Sequence, residues 1–344
     1  MKKIIITGGY GFIGSNLVKY FLKKNFFVIN IDKISYSSNK YNLKDFENNK
    51  NYRFVKTDIG NKKTVLNTLV KYKPSLIFNL AAETHVDRSI DGPKAFIESN
   101  INSLFNLLET IRKFNKNYKK KIKLIHISTD EVYGDILNKK IRAHEEYPYQ
   151  PSSPYAATKA SGDHLIKSYV RTFNFPAIIS NCSNNYGPGQ FPEKLIPKII
   201  FNIFKGLPIP IYSKGLNSRE WIYVADHCSA LEIISKKGKI GENYNIGSGI
   251  NISNLKLVKL IIKIIKKRFK DIKIKSKIIF VKDRPGHDMR YALNSNKMKK
   301  KLNWKTKNNL DVGLTKTIEW YLNNLSYFKE INKKNYINRM GLEI

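Results

Sequence analysis

Lys3-Ile4-Ile5-Ile6-Thr7-Gly8-Gly9-Tyr10-Gly11-Phe12-Ile13-Gly14 decides the fold of this chain. Its unbroken apolar start fits a strand buried on both faces, as in a parallel sheet. Gly8, Gly11 and Gly14 follow at intervals of three, between that strand and an apolar-periodic stretch that begins at Phe12. A tight turn needs one glycine, close approach of a phosphate to backbone another, and close packing of helix on strand the third. A second apolar run ends in Asp32, where an acid bonds the ribose hydroxyls of a dinucleotide. The stretch therefore predicts a doubly wound parallel α/β sheet with NAD as cofactor, because a 2′-phosphate would face the Asp32 carboxylate. Lys33 qualifies this, since a neighbouring cation could accept that phosphate.

Outward from this turn, short apolar runs alternate with longer amphipathic ones, the pattern of repeated βαβ units. Strands are expected over 3–7, 27–31, 52–57, 76–79, 124–128 and 177–181, and helices over 12–24, 62–72, 93–114 and 154–173. Beyond Asn181, Pro188, Pro192, Pro197, Pro208 and Pro210 break the rhythm into loops around one expected helix over 194–204. A further strand is expected at 244–247, and 255–265 carries lysines at helical intervals, as a surface helix does. The organisation read from this is an NAD-binding Rossmann domain over 1–183, to which 216–246 returns. A smaller, partly discontinuous C-terminal substrate domain takes 184–215 and 247–325, and a Lys/Asn-rich tail over 326–344 is left without structure.

The 344 residues carry a formal net charge of +35, which in clustered form would point to nucleic acid. Lysine instead recurs along the whole chain together with asparagine and isoleucine. Compositional bias explains the charge, and no nucleic-acid partner is expected. A basic surface still attracts an anionic substrate at long range, more weakly as salt rises. Cys182 and Cys228 are the two cysteines. They lie far apart and without His or Cys at ligand spacing, so neither a disulfide framework nor a metal site is expected, and a reducing cytoplasm fits. Thr7-Gly8-Gly9 cuts the first apolar run short of a signal peptide. No apolar stretch reaches the roughly 20 residues of a membrane helix, so no membrane association is expected.

Ser128-Thr129-Asp130-Glu131-Val132-Tyr133-Gly134 follows the apolar run Leu124-Ile125-His126-Ile127. A hydroxyl and two acids thus emerge where a parallel strand ends, which is where open α/β sheets bind ligands. Taken alone, the stretch reads equally well as a turn with solvated carboxylates. Tyr155 and Lys159 stand four apart, on one face of a helix that Pro154 and Ser152 or Ser153 can start. At about 4 Å and an effective dielectric near 20, a lysine ammonium favours a phenolate by about 4 kcal/mol, enough to make tyrosine a usable base near neutrality. Tyr20 with Lys24, Tyr36 with Lys40 and Tyr52 with Lys56 have the same spacing, which an exposed amphipathic pair explains. Tyr155 alone follows the acidic strand tip by a short excursion, so position singles it out.

These motifs are joined by Asn79-Leu80-Ala81-Ala82-Glu83-Thr84-His85-Val86-Asp87, Asn181-Cys182-Ser183-Asn184-Asn185-Tyr186-Gly187-Pro188 and Phe191-Pro192-Glu193-Lys194-Leu195-Ile196-Pro197. Arg219-Glu220-Trp221-Ile222-Tyr223-Val224-Ala225-Asp226-His227 and Asp283-Arg284-Pro285-Gly286-His287-Asp288 follow. In this order they resemble the extended short-chain dehydrogenase/reductase family, and within it the nucleoside-diphosphate-sugar 4,6-dehydratases. The resemblance spans nearly the whole chain, and the adjacent Asp130-Glu131 distinguishes these dehydratases from epimerase relatives. It implies that Tyr155, helped by Lys159, removes the proton of the sugar 4-hydroxyl as hydride passes from C4 to NAD+, with Thr129 bonded to that hydroxyl. Glu131 would then take the C5 proton while Asp130 protonates the departing 6-hydroxyl, and hydride would return to C6, leaving a 4-keto-6-deoxy sugar. The implied substrate is dTDP-glucose, with UDP- or CDP-linked glucose left open. A nucleotide-sugar epimerase and a non-catalytic NAD-binding regulator are further alternatives.

The same resemblance implies that the cofactor meets Gly8, Gly11, Phe12, Ile13, Gly14, Asp32, Lys33, Ser35, Asp58, Ile59, Leu80, Ala81, Ala82, Thr84, Ser99, Tyr155, Lys159 and Asn185. Ser99 stands where the family has threonine and keeps the hydroxyl. The substrate would meet Thr84, Thr129, Asn184, Lys194, Leu195, Pro210, Ile211, Tyr212, Arg219, Asn254, Arg284 and His287. Arg219 and Arg284 suit a diphosphate, or else form surface ion pairs, and 208–212 is an apolar slot for a base or a plain loop. A homodimer paired through the helices at 93–114 and 154–173 is also implied. Ile101, Leu104, Leu107, Leu108 and Ile111 give the first of these an apolar stripe that serves core, partner or both.

Overall fold

The structure, a computed structural model, describes residues 1–119 and 121–329. Its first elements are β1 (Lys3–Thr7), α1 (Phe12–Leu22), β2 (Phe27–Asp32), β3 (Tyr52–Lys56), α2 (Lys62–Tyr72) and β4 (Leu76–Asn79). Next come α3 (Val86–Asp91), α4 (Pro93–Ile97), α5 (Ser103–Asn117), β5 (Lys123–Thr129), α6 (Pro154–Phe173) and β6 (Ala177–Cys182). They are followed by β7 (Asn184–Tyr186), α7 (Leu195–Lys205), β8 (Ile209–Tyr212), β9 (Ser218–Tyr223), α8 (Val224–Lys237) and β10 (Asn243–Ile246). β11 (Asn251–Ser253), α9 (Asn254–Arg268), β12 (Ile278–Val281), α10 (Asn296–Leu302) and α11 (Leu310–Asn323) complete the order.

Seven strands form one parallel sheet in the order β10-β6-β5-β4-β1-β2-β3, the doubly wound arrangement expected from the sequence. Alternate residues of the apolar runs go to opposite faces. Ile4, Ile6, Phe78, Ile125 and Ile178 pack with Leu17, Val18 and Phe21 of α1 and with Cys228, Leu231 and Ile234 of α8. Ile5, Ile29, Ile77, Leu124 and Ile179 pack on the other side with Val65 and Leu69 of α2 and Leu104, Leu107, Leu108 and Ile111 of α5. Each such side chain contributes roughly 1.5–3 kcal/mol by leaving water. Strand order reverses between β1 and β4, so their carboxyl ends open a crevice. A second core, built from α7, α9, α11 and β8, stands above it.

Several elements differ from the sequence reading. The helix expected over 93–114 is interrupted by a wider π-helical turn, Glu98–Asn102. The Asn100 amide there bonds Glu83 O and Thr158 Oγ1 while its oxygen accepts from Glu83 N, which accounts for an extra residue in the turn. The proline-marked loop at 208–212 is instead strand β8, paired in parallel with β12 alone, where a residue without an N–H is tolerated. β9, α8 and α11 form in stretches for which the sequence reading named no element. The helix expected over 255–265 is present as α9, with Leu257, Val258, Ile261, Ile264 and Ile265 buried. The tail was placed too early, because Tyr327 and Phe328 are buried in the second core; 330–344 lie outside the described residues. Met298, Leu302 and Trp304 join the α1 side of the sheet. Among the described residues no helix is long and apolar enough to cross a membrane.

Candidate active site

β1 delivers the chain into the crevice at Gly8, where a φ of +68° and the backbone of Ala81, 3.0 Å from where a Cβ would stand, leave no room for a side chain. A Cβ on Gly14 would lie 2.1 Å from Gly8 O, so α1 rests directly on the turn. Gly9 is a fourth constrained position that sequence reasoning missed. Its amide donates to Asn30 Oδ1 at 3.0 Å, and a Cβ would fall 2.1 Å from that same oxygen. A polar residue inside the apolar run of β2 was the available signal.

Asp32 closes the far side. Its Oδ1 accepts from Ile34 N at 2.7 Å and Ser38 Oγ at 3.1 Å, and its Oδ2 from Tyr10 N at 2.9 Å. A carboxylate offers about four acceptor positions, so Oδ2 keeps one for a ligand hydroxyl. Lys33 Nζ lies 3.4 Å from Asp58 and 3.8 Å from Glu83, so two acids already share the cation that a 2′-phosphate would need. Burial would raise the Asp58 carboxyl, but the Gly60 amide, Ser103 and Lys33 outweigh it and hold the group below its ordinary value. The glycine cradle and the free acceptor of Asp32 fit a dinucleotide without a 2′-phosphate. Every residue expected to meet the cofactor borders one cavity of about 270 Å³.

Thr129, Asp130, Glu131, Tyr155 and Lys159 stand at one end of that cavity. β5 ends at Thr129, whose Oγ1 caps the short turn Asp130–Tyr133 by accepting from Glu131 N at 3.3 Å. α6 starts with the Ser153 hydroxyl accepting from Ala156 N at 3.1 Å, which brings Tyr155 and Lys159 to the same wall. Asp130 is pushed well above the ordinary carboxyl range by burial, then by Glu131 and Glu220. Its Oδ2 has no hydrogen-bond partner. Glu131 is also raised by burial, but Arg284, Arg219 and Lys194 pull it back. The two neighbouring acids thus differ in what faces them, and Asp130 is the one suited to carry a proton.

The tyrosine–lysine pair departs from the sequence expectation. Burial pushes the Tyr155 hydroxyl well above its ordinary value, with Glu131, Cys182 and Asp130 adding to it. Burial also lowers the Lys159 amine, against the pull of Asp163. The ammonium–phenolate argument omitted desolvation, which is the largest influence on both groups.

Asn184, Lys194, Leu195, Pro210, Ile211, Tyr212, Arg219, Asn254, Arg284 and His287 border a second cavity of about 490 Å³, which meets the first at Glu131 and Lys194. Thr84 and Thr129 border the first cavity. Arg219 and Arg284 are not surface ion pairs. Arg219 is 6% exposed, donates to Ser218 O and Asp288 O at 2.9 Å each, and lies over the Tyr291 ring at 4.2 Å. Arg284 Nη1 meets Asp87 Oδ1 at 2.7 Å. His287 Nδ1 lies 2.6 Å from Asp283 Oδ1, and burial followed by Arg284 lowers the imidazole to about 4.

Three residues of this wall carried no role in the sequence reading. Tyr291 OH reaches Glu131 Oε2 at 3.5 Å and Asp288 Oδ2 at 2.5 Å. Glu193, at the junction of the cavities, is raised by burial despite Lys194 and Arg88. Asp87 orients Arg284. Each gains its position from segments far apart in the chain, which no local spacing signals. Among the described residues no group of three or more His, Cys, Asp or Glu could hold a metal.

A glycine turn heading a doubly wound sheet, with a tyrosine–lysine pair and an acid pair at the end of its fifth strand, defines an extended short-chain dehydrogenase/reductase. Residues 5–317 match the family described as GDP-mannose 4,6 dehydratase, and the chain belongs to that family. A curated relative from Sinorhizobium fredii, a probable dTDP-glucose 4,6-dehydratase, is 43% identical over 99% of both chains. A crystal structure of dTDP-glucose 4,6-dehydratase from Bacillus anthracis in complex with NAD is 39% identical, covers 96% of this chain and 100% of its own, and superposes with a TM-score of 0.85. UDP-glucose 4-epimerase from Thermotoga maritima is 28% identical over 94% of this chain and 99% of its own, with a TM-score of 0.84. The fold alone therefore does not select the reaction.

Proposed function

We propose that this chain is an NAD-dependent lyase, a dTDP-glucose 4,6-dehydratase that converts dTDP-glucose to dTDP-4-keto-6-deoxy-glucose with loss of water. The single observation that carries this reading is the unlike pair at the end of β5. Asp130 is buried with an unpartnered oxygen, while Glu131 faces Arg284, Arg219 and Lys194. An elimination needs one group that gives a proton and one that takes it. An epimerase has no use for both.

Gly8, Gly11, Phe12, Ile13, Gly14, Asp32, Asp58 and Asn185 would hold NAD, which would supply a hydride acceptor for C4 and the hydride for C6. Tyr155, with Lys159 beside it, takes the proton of the 4-hydroxyl, and Thr129 holds that hydroxyl in line. A 4-ketone acidifies the C5 hydrogen, so Glu131 can remove it while the Asp130 proton goes to the leaving 6-hydroxyl. Arg219, Arg284 and Lys194 face a diphosphate. Pro210, Ile211, Tyr212, Leu195, Asn184, Asn254 and His287 line the place for the nucleoside. The reading takes its thymine base from three relatives named for dTDP-glucose.

A homodimer through α4, α5 and α6 is part of the same proposal. Leu104, Leu107, Leu108 and Ile111 are spent on the core, but Ile97 and Phe105 stay 45% and 42% exposed on the same stretch, and Phe173 of α6 stays 47% exposed. A cytoplasmic setting is supported by two buried, unpaired thiols, Cys182 and Cys228. A division into a nucleotide domain of 1–183 with 216–246 and a substrate domain of 184–215 with 247–325 is part of the same proposal, except that Met298, Leu302 and Trp304 pack against the parallel sheet and go with the nucleotide domain.

Mass and proton NMR analysis of the product from dTDP-glucose in heavy water tests the reaction. A 4-keto-6-deoxy product with solvent deuterium at C5 and no net NADH is expected; C4 inversion without loss of water would instead mean an epimerase. Parallel assays with UDP- and CDP-glucose test the base.

A further inference from the structure

Behind the cleft, side chains of three adjacent strands form a ladder. The register pairs Thr7 of β1 with Asn79 of β4, and Asn79 with His126 of β5, so the three share one face. Thr7 Oγ1 lies 2.7 Å from Asn79 Oδ1, Asn79 Nδ2 3.1 Å from His126 Nδ1, and His126 Nε2 3.2 Å from Lys159 Nζ. All four side chains are buried.

The direction of these bonds is decided at Thr7. The backbone amides of Leu80 and Ala81 both donate to Thr7 Oγ1 at 3.1 Å and fill its two acceptor positions. Its own proton therefore goes to Asn79, which turns its oxygen to Thr7 and its NH2 to His126. His126 Nδ1 accepts that bond, so the neutral ring carries its proton on Nε2, facing Lys159. An ammonium has donors only and meets this N–H unfavourably. A neutral amine accepts from it and still donates to Ile127 O at 2.8 Å. Tyr155 and Asp163 on α6 and Cys182 on β6 are the other titratable groups near Lys159. Asp163 favours the ammonium; its Oδ2 accepts from Ser128, Tyr149 and Asn181 at 2.8, 3.0 and 3.2 Å, while its Oδ1 has no hydrogen-bond partner and lies 3.8 Å from His126 Nε2, a second acceptor for the same imidazole N–H.

We propose that the Thr7–Asn79–His126 ladder is a positioning device that presents an imidazole N–H to Lys159 and keeps the Tyr155–Lys159 pair one proton short, ready for the proton of the sugar 4-hydroxyl. The pair would take up that proton, leaving Lys159 as the ammonium, while the C4 hydrogen would leave as hydride to the bound dinucleotide. The inference rests on the assignment of Tyr155 and Lys159 given above. Burial keeps His126 neutral, as the ladder requires.

The tautomer is read directly by 15N NMR of histidine-labelled protein, whose six histidines are assigned with a His126→Gln variant. An Nε2–H tautomer at His126 is expected in the wild type and in Thr7→Ser. In Thr7→Val, the amide of Asn79 is free to turn and the Nδ1–H form should grow. The acid limb of the pH–rate profile with dTDP-glucose should then move up by about one pH unit in Thr7→Val and return in Thr7→Ser. An Nδ1–H tautomer in the wild type overturns the ladder whether or not the variants fold. An unmoved acid limb in folded Thr7→Val overturns its role in the pair. A wild type with the Nε2–H form and no turnover of dTDP-glucose would sink the reaction assignment instead.

Discussion

Arg284 and Asp87 meet at 2.7 Å across the cleft, the guanidinium from the loop after β12 and the carboxylate from the first turn of α3. Asp87 also accepts from Tyr212 OH at 2.8 Å through its second oxygen. One acid thus aims two groups of the second cavity. Asp87→Asn removes a charge-assisted bond of about 1.5–3 kcal/mol. The KM for dTDP-glucose should rise about tenfold or more, with kcat less affected. Steady-state kinetics check this, and a fall in kcat at unchanged KM would contradict it.

Asp130→Asn keeps the size and the hydrogen bond but has no proton to give. The elimination should slow by about 10²- to 10⁴-fold, while oxidation at C4 persists and NADH absorbance accumulates in a single turnover. The raised carboxyl carries a second consequence. Its folded-state pKa lies above the unfolded one, so near neutral pH the native state bears the cost of keeping a group that would ionise on unfolding. The variant should therefore melt at a higher temperature at pH 7 and lose that advantage below about pH 4; a lower Tm at pH 7 would speak against the assignment.

Gly14→Ala places a methyl 2.1 Å from Gly8 O and 2.9 Å from Gly9 Cα. Backbone lies on both sides, so α1 must lift from the turn. A loss of about 1–3 kcal/mol is expected, together with weaker binding of NAD, which calorimetry with and without the dinucleotide separates. Unchanged binding would mean that the turn does not meet the cofactor.

Glu232 receives Tyr20 OH and Lys24 Nζ at 2.5 Å each and Lys236 Nζ at 2.8 Å. Burial works against its ionisation, but these donors hold the carboxyl at about 2. A lowered folded-state value gives stability that is present above the unfolded pKa of about 4.3 and is lost as pH falls towards 2. The gap in urea midpoint between wild type and Glu232→Gln should be open at pH 7 and close across that window. A gap that stays constant down to pH 2 would refute the linkage.

What could be read from sequence depended on how local the cause was. The glycine turn, Asp32 and the alternation of strand and helix were legible, because three-residue spacing and unbroken apolar runs are properties of short stretches. Tyr155 with Lys159 was legible by position, since three other pairs with the same spacing lie elsewhere. One of these, Tyr20 with Lys24, is tied to Glu232 on α8. The π-helical turn was hidden, as the apolar period runs through it and the cause is Asn100 reaching Glu83 and Thr158. His126 looked like one more residue of an apolar run. Its importance comes from the register of β1, β4 and β5, which no local pattern encodes. The pair's electrostatics were misjudged for a similar reason, because burial is a property of the folded cleft.

The last strand of the sheet is made late. β10 lies beside β6 at the edge, yet the ribosome must complete 184–242 before Asn243–Ile246 can be added. Until then a nascent chain displays the backbone of β6 as an open edge, the kind of surface that recruits stray strands. Expression of 1–183 alone should accordingly give an aggregating product rather than a free nucleotide-binding unit, and a permuted chain that supplies 216–246 before release should behave better. The division of labour between the two cavities is therefore not a division that biosynthesis could exploit, and exchange of the substrate half between relatives would need to carry this strand along.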